Sequence, residues 1–141
     1  SEPFSLPTSG GVTSLFGNQR RYNGQVSSTH YGVDLRAGEK TPIHAINKGK
    51  VLLARQFFYA GNMVLLDHGM GVYSSYSHLS RLDVKPGQEV KRGDLLGMAG
   101  ATGRVTGPHL HWGTRLNGHP VDPHRLVAVA NLVFHSSKKS Q

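Results

Sequence analysis

No cysteine occurs anywhere in the 141 residues. That excludes a disulfide framework and a thiolate zinc site, so any metal must be held by His, Asp or Glu. No run has the length and apolarity of a membrane span; the longest apolar-rich stretch, Leu126 to Phe134, is too short and includes Asn131. No secretory leader is expected within these 141 residues. The chain starts Ser1-Glu2-Pro3 without methionine, and the expectation is a mature or excised portion of something longer. Acidic residues are scarce: eight Asp and Glu stand against 16 Lys and Arg, a formal charge of +8. Such a surface attracts polyanions, whether nucleic acid, anionic lipid or an acidic cell-wall polymer. The cations are scattered (Arg20-Arg21, Lys48, Lys50, Lys91-Arg92, Lys138-Lys139), with no basic helical stripe and no RNA-binding aromatic motif. Nucleic acid is therefore not expected as a partner.

What the chain does have is punctuation: 18 glycines and 7 prolines, with a hydrophobic share of 37%. The length suits one domain with a genuine core. Short apolar runs at 43–46, 50–54, 62–67, 72–76, 95–99 and 110–116 alternate with glycine-containing connections. Strands of about five residues with such turns predict a mainly β fold, an antiparallel sheet or sandwich. Only two short helices are expected, around 80–82 and from 123 to about 131. Residues 1–13 read as a lead-in, 14–134 as the domain, and the polar residues 135–141 as a disordered tail. Residues 17–29, polar with few apolar positions, read as a surface loop.

Nine histidines stand where cysteine is absent. His109-Leu110-His111 lies within Thr106-Gly107-Pro108-His109-Leu110-His111-Trp112-Gly113. On a strand, alternation puts both imidazoles on one face about 7 Å apart, with Leu110 and Trp112 opposite. That pair suits a shared metal, or one ligand beside one catalytic base. His30 and Asp34, four apart in His30-Tyr31-Gly32-Val33-Asp34, would lie about 13 Å apart on a straight strand. Both bind one ion only if the backbone bends, and Gly32 is the residue expected to permit it. His30, Asp34 and one histidine of the later pair make two imidazoles and a carboxylate. Three protein ligands with a fourth position for water is the pattern of catalytic zinc, although the same set suits non-haem iron. A nearby metal-free imidazole, His78 or the unused member of the pair, could take a proton or stabilise an oxyanion.

Further segments occur in order around these residues: Phe16-Gly17 with Arg20-Arg21, His30-Tyr31-Gly32-Val33-Asp34-Leu35, Thr41-Pro42-Ile43-His44-Ala45, Gly61-Asn62 with Asp67-His68-Gly69, Tyr76-Ser77-His78-Leu79, and Thr102-Gly103 ahead of Thr106-Gly107-Pro108-His109-Leu110-His111. Together they resemble the lysostaphin-type zinc metalloendopeptidases, which cut the peptides of bacterial peptidoglycan. The resemblance spans roughly residues 14–126. It implies that His30, Asp34 and His111 bind Zn2+, that His109 is the general base, and that His78 orients water or stabilises the oxyanion. It also implies an antiparallel sheet with a loop-walled groove for an extended peptide, and an extracytoplasmic place of action, periplasmic or at the cell wall. Peptidoglycan peptides are then the expected partner, with other envelope proteins as further candidates. The departures from the family pattern, His44, Trp112 and Val105, remove no ligand or proton-transfer group.

The remaining candidates read otherwise. His68 reads as structural in a hairpin turn, and His44 as a satisfied rim histidine. His119, His124 and His135 carry no functional expectation. Asn62 and Arg21 are candidates for the groove lining, while Tyr73 and Tyr76 read as sheet packing. Two rival functions remain at this level. One is a catalytically silent envelope module that activates another wall hydrolase. The other is a carrier or phosphohistidine protein, suggested by the hairpin at 87–97, which lacks a convincing lysine at its tip.

Overall fold

The computed structural model describes residues 3–139 except Arg104 and Thr106, with backbone alone at 20–22, 26–28 and 135–139. Its strands are β1 (Val12–Ser14), β2 (Gln19–Tyr22), β3 (Gln25–Thr29), β4 (Val33–Leu35), β5 (Pro42–His44), β6 (Gly49–Phe57), β7 (Gly61–Gly69), β8 (Val72–Leu82), β9 (Glu89–Val90), β10 (Leu95–Ala99), β11 (Leu110–Leu116) and β12 (His119–Val121), followed by helix α1 (Pro123–Lys139). The main sheet runs β1-β4-β11-β8-β7-β6-β9, with β12 on β11 and a β5-β10 pair attached through β8. Every described pairing is antiparallel. The expected mainly β, antiparallel class is therefore the observed one.

Alternation along the central strands separates a core face from an open face. Leu110, Trp112 and Thr114 of β11 point inward with Ser74 and Tyr76 of β8 and Val64 and Leu66 of β7. His111, Gly113 and Arg115 stand on the other face, opposite Ser77, Ser75 and Tyr73. The core closes because the 11-residue β8 serves three ladders. Its first part pairs with β7 and β11 and its last part with β10, which carries β5 over the inner face. Ile43, Ile46, Leu96 and Leu79 then fill the space above Trp112 and Tyr76, all fully buried.

A directional polar chain crosses this core. The Ile46 N–H donates to Tyr76 Oη at 3.2 Å, and Tyr76 and Ser74 Oγ are 2.8 Å apart. Ser74 Oγ lies 2.7 Å from His68 Nε2, and His68 Nδ1 lies 2.7 Å from the Lys48 carbonyl. A carbonyl only accepts, so Nδ1 carries the proton and Nε2 accepts from Ser74, which in turn accepts from Tyr76. Complete burial pushes the Tyr76 phenol well up and keeps it a donor. His68 is thus structural, although it lies within β7, one residue before its end, rather than in the turn.

Several local expectations change. Residues 80–82 are the end of β8, not a helix. Residues 17–29 contain the β2-β3 hairpin, not a plain loop. Helix α1 continues to Lys139, beyond the expected end near 131 and through most of the polar segment. Asp122 caps its start by accepting from the His124 N–H at 3.1 Å, with Pro123 at the first helical position. Asn131 on α1 binds both the N–H (2.7 Å) and the carbonyl (3.0 Å) of Phe4, which also packs against the core. This ties the N-terminal segment to the helix.

Candidate metal centre

His111 and Asp34 are direct cross-strand partners on β11 and β4, which puts their side chains on the same face. His30 lies just before β4, outside any strand. Its N–H donates to the Asn18 carbonyl and its carbonyl accepts from the Gly17 N–H, so the 15–18 turn fixes its backbone. The chain bends between His30 and Asp34, as a shared site demands. Gly32 matters there for space rather than for φ. A Cβ at Gly32 would come within 2.8 Å of the His111 ring and of the Trp112 carbonyl, while its φ is not among the positive ones.

His30 Nε2, His111 Nδ1 and Asp34 Oδ1 form a triangle with edges of 3.2, 3.3 and 3.0 Å. Ligands about 2.1 Å from a tetrahedral ion stand about 3.4 Å from one another, so the triangle fits one small divalent cation. His30, Asp34 and His111 are the metal-capable cluster found among the described residues. Burial raises the Asp34 carboxyl, but the hydrogen bond and charge of His111, then His30 and His109, outweigh it and hold it below the usual range. Asp34 is therefore ionised, as a ligand must be.

Backbone carbonyls set the tautomers around the triangle. His30 Nδ1 donates to the Leu15 carbonyl at 3.0 Å, leaving Nε2 bare toward the other donors. His109 Nδ1 donates to the Gly107 carbonyl at 3.0 Å, and its bare Nε2 lies 3.8 Å from Asp34 Oδ1. His78 Nδ1 donates to the Thr102 carbonyl at 2.8 Å, again with Nε2 free. The His78 ring stands 5.0 Å from that of His109 and 6.2 Å from that of His111. Burial lowers the pKa of His78, helped by the charges of His109 and His111 and opposed by the Thr102 bond and Asp34. It is neutral at pH 7.

His78 reaches this position through a bulge. Ser77 and His78 stand opposite Met63 alone, and His78 takes φ 66°, a conformation rare outside glycine. Its N–H donates to the Ala60 carbonyl at 2.8 Å. Thr102 clamps the bulge: its Oγ1 accepts from the Asn62 N–H (3.0 Å) and donates to the Leu79 carbonyl (2.7 Å), to which Asn62 Nδ2 also donates at 3.0 Å. Gly61 must be glycine here, because φ is 66° and a Cβ would meet Thr102 at 2.4 Å.

His78 and His111 line one end of an open groove of about 700 Å³, with His30 and Asp34 against His111 and the His109 ring beside that of His78. The groove runs over Ser77, Ser75 and Tyr73 of β8, Gly113 and Arg115 of β11, and Met63 and Leu65 of β7, between Tyr31 and Tyr59. Asn62 is a strut behind it rather than a lining residue. The Arg21 side chain and Thr106 lie outside the described residues. His44 is not part of this lining; its Nδ1 donates to the Gly93 carbonyl at 3.0 Å. Thr102, the 15–18 turn and Arg115 were given no role from sequence; Phe16-Gly17 and Thr102-Gly103 stood out only as segments of the family pattern, and Arg115 gave no signal.

The family model for peptidase family M23 matches residues 28–123, which brackets every residue of this centre. The chain belongs to peptidase family M23. Among its relatives, the peptidoglycan DD-endopeptidase ShyA of Vibrio cholerae is 44% identical over 93 residues, covering 66% of this chain and 22% of that protein. A zinc-containing peptidase from Vibrio cholerae superposes with a TM-score of 0.80 at 36% identity, covering 85% of this chain and 39% of that one. The catalytic domain of lysostaphin from Staphylococcus simulans gives 0.74 at 33% identity, covering 84% and 92%. The chain spans about a quarter of the length of the curated relatives it matches. As an M23 domain, it carries a donor set suited to a metal, and its fold is the family's antiparallel sheet.

Proposed function

We propose that this chain is a zinc endopeptidase domain that hydrolyses peptide cross-links of bacterial peptidoglycan, working outside the cytoplasm as part of a longer protein. The observation that carries this reading is the 3.0–3.3 Å donor triangle of His30, Asp34 and His111, opening onto a groove beside two further histidines with bare Nε2 atoms. Zinc bound there supplies Lewis acidity, polarising a scissile carbonyl and acidifying water. Two imidazoles and one carboxylate leave the site net +1 with zinc, which favours that chemistry over mere structural closure. The likeness to the Vibrio cholerae DD-endopeptidases ShyA and ShyB favours D,D cross-links over glycine bridges as the bond cut.

The chain's own groups divide the proton work. His109 Nε2 is bare and lies 3.8 Å from the ligand carboxylate, so it takes the proton of the attacking water and returns it to the leaving amine. His78 is neutral with Nδ1–H held by Thr102, so its Nε2 orients water by accepting a hydrogen bond. Donation to a developing oxyanion requires it first to gain a proton. The groove walls hold the peptide extended across the open face of the sheet. A silent activator module has no observation in its favour, since all five positions are present and oriented.

Purified sacculi incubated with the metal-loaded protein are expected to release monomeric muropeptides from cross-linked dimers, as read by mass spectrometry. Chelator abolishes the release and zinc restores it. No cleavage by a zinc-loaded sample of either directly cross-linked or glycine-bridged walls would end this reading.

A further inference from the structure

The groove continues well past the residues that the proposed mechanism uses. Its floor follows β11 and β8 away from His111, with Gly113 opposite Ser75 and Arg115 opposite Tyr73. A Cβ on Gly113 would come within 2.8 Å of Ser75 Oγ, so a larger residue would crowd the floor between the metal centre and the far end. Met63, Leu65 and the exposed rings of Tyr31 and Tyr59 make the surroundings apolar or neutral.

Arg115 is the permanently charged side chain in this lining, and no carboxylate lines the groove among the described residues. Its one hydrogen bond runs from Nη1 to the Gly118 carbonyl at 3.1 Å, which props the guanidinium at the β11-β12 turn and leaves most of its five donors open. Asp67 shares the same row of the sheet but lies two strands away, beyond Tyr73, and accepts from the Gly69 N–H. No carboxylate pairs with Arg115 among the described residues. An arginine held open at the end of an otherwise uncharged groove suits bidentate capture of a carboxylate.

Four residues of strand separate His111 from Arg115, about 13 Å. An extended peptide whose reacting bond lies at His111 therefore presents a group about four residues away beside Arg115. We propose that Arg115 is the groove's carboxylate anchor, binding an acidic peptide through a carboxylate about 13 Å from the bond that is cut. This rests on the peptidase reading above and adds a demand on the substrate: it must be anionic at that distance.

The test uses soluble cross-linked muropeptide dimers, and the same dimers with their free carboxylates converted to carboxamides. Wild type, Arg115→Lys and Arg115→Gln are compared in two ways: KM and kcat of the zinc-loaded protein, and binding of fluorescently labelled dimers to chelator-treated protein. On the acidic dimers Arg115→Gln is expected to raise KM and weaken binding about tenfold or more, with kcat changed less than threefold. Arg115→Lys retains part of the affinity. On the amidated dimers wild type falls to the level of Arg115→Gln. Equal losses on acidic and amidated dimers, or a wild type indifferent to amidation, overturn the anchor; a variant that is merely misfolded gives that first pattern and counts against it. Cleavage without discrimination sinks the anchor alone. Absence of any cleavage sinks the peptidase reading, while the binding comparison still decides the anchor.

Discussion

At the scale of single residues, what separates four neighbouring imidazoles is the partner that each Nδ1 meets. His30, His78 and His109 each donate Nδ1–H to a backbone carbonyl at 2.8–3.0 Å, which turns a bare Nε2 inward. His111 instead aims Nδ1 at Asp34 and His30. His111→Ala should therefore lose both bound metal and activity. His109→Ala should keep a full complement of metal, measured by elemental analysis, while kcat falls about 10²–10⁴-fold. Gly32→Ala tests the packing of the centre, since its Cβ must displace the His111 ring or the Trp112 carbonyl. It should weaken metal retention and cost about 1–3 kcal/mol in denaturant unfolding. His30, Asp34 and one of the His109/His111 pair were legible in the sequence because a metal set without cysteine has so few side chains to draw on, whereas the choice of His111 and the roles of His109 and His78 came only with the family resemblance. The reason for Gly32 was not, because a lack of space for a Cβ appears only when β4 and β11 are paired.

At the scale of elements, alternation found most of the sheet. The apolar run 110–116 coincides with β11, and 95–99 with β10. Alternation failed at β8, where the bulge at Ser77 and His78 breaks the period and hides six further strand residues. It failed again at β2 and β3, whose sequences are polar with few apolar positions. There Asn23-Gly24, at φ 52° and 77°, is the turn signal that composition masked. The bulge is also the element on which His78 depends, and Thr102 is its clamp. Thr102→Val should leave the Asn62 N–H without its acceptor and cost about 1–2 kcal/mol. It should also lower kcat more than it raises KM, because it shifts the carbonyl that holds His78. A variant that only melts earlier, with unaltered kinetics, would show that the clamp does not position His78.

For the molecule as a whole, two properties follow from charge and burial. Burial lowers the pKa of His68, against the Lys48 hydrogen bond and the Asp67 charge, and protonation would put a second donor against Ser74 in the core chain. The unfolded chain, with histidine near 6.5, then binds more protons than the folded one, so stability rises with pH in this range. Folding free energy should be lost as pH falls below about 6.5 toward the lowered folded value, and His68→Gln should flatten that slope in urea titrations. His78 contributes in the same direction. The formal charge of +8 should make retention on isolated cell walls fall as salt rises from about 0.05 to 0.5 M, with the scattered cations screened together.

The central claim is the division of labour around one ion: His30, Asp34 and His111 hold it while His109 and His78 stay free. Anomalous diffraction at the zinc edge on crystals of the purified protein, paired with elemental analysis, tests it most directly. One zinc per chain is expected, bonded to His30 Nε2, Asp34 Oδ1 and His111 Nδ1. Zinc bonded to His109 or His78 in place of one of these, or a zinc-saturated protein with no ion at the triangle, would contradict it.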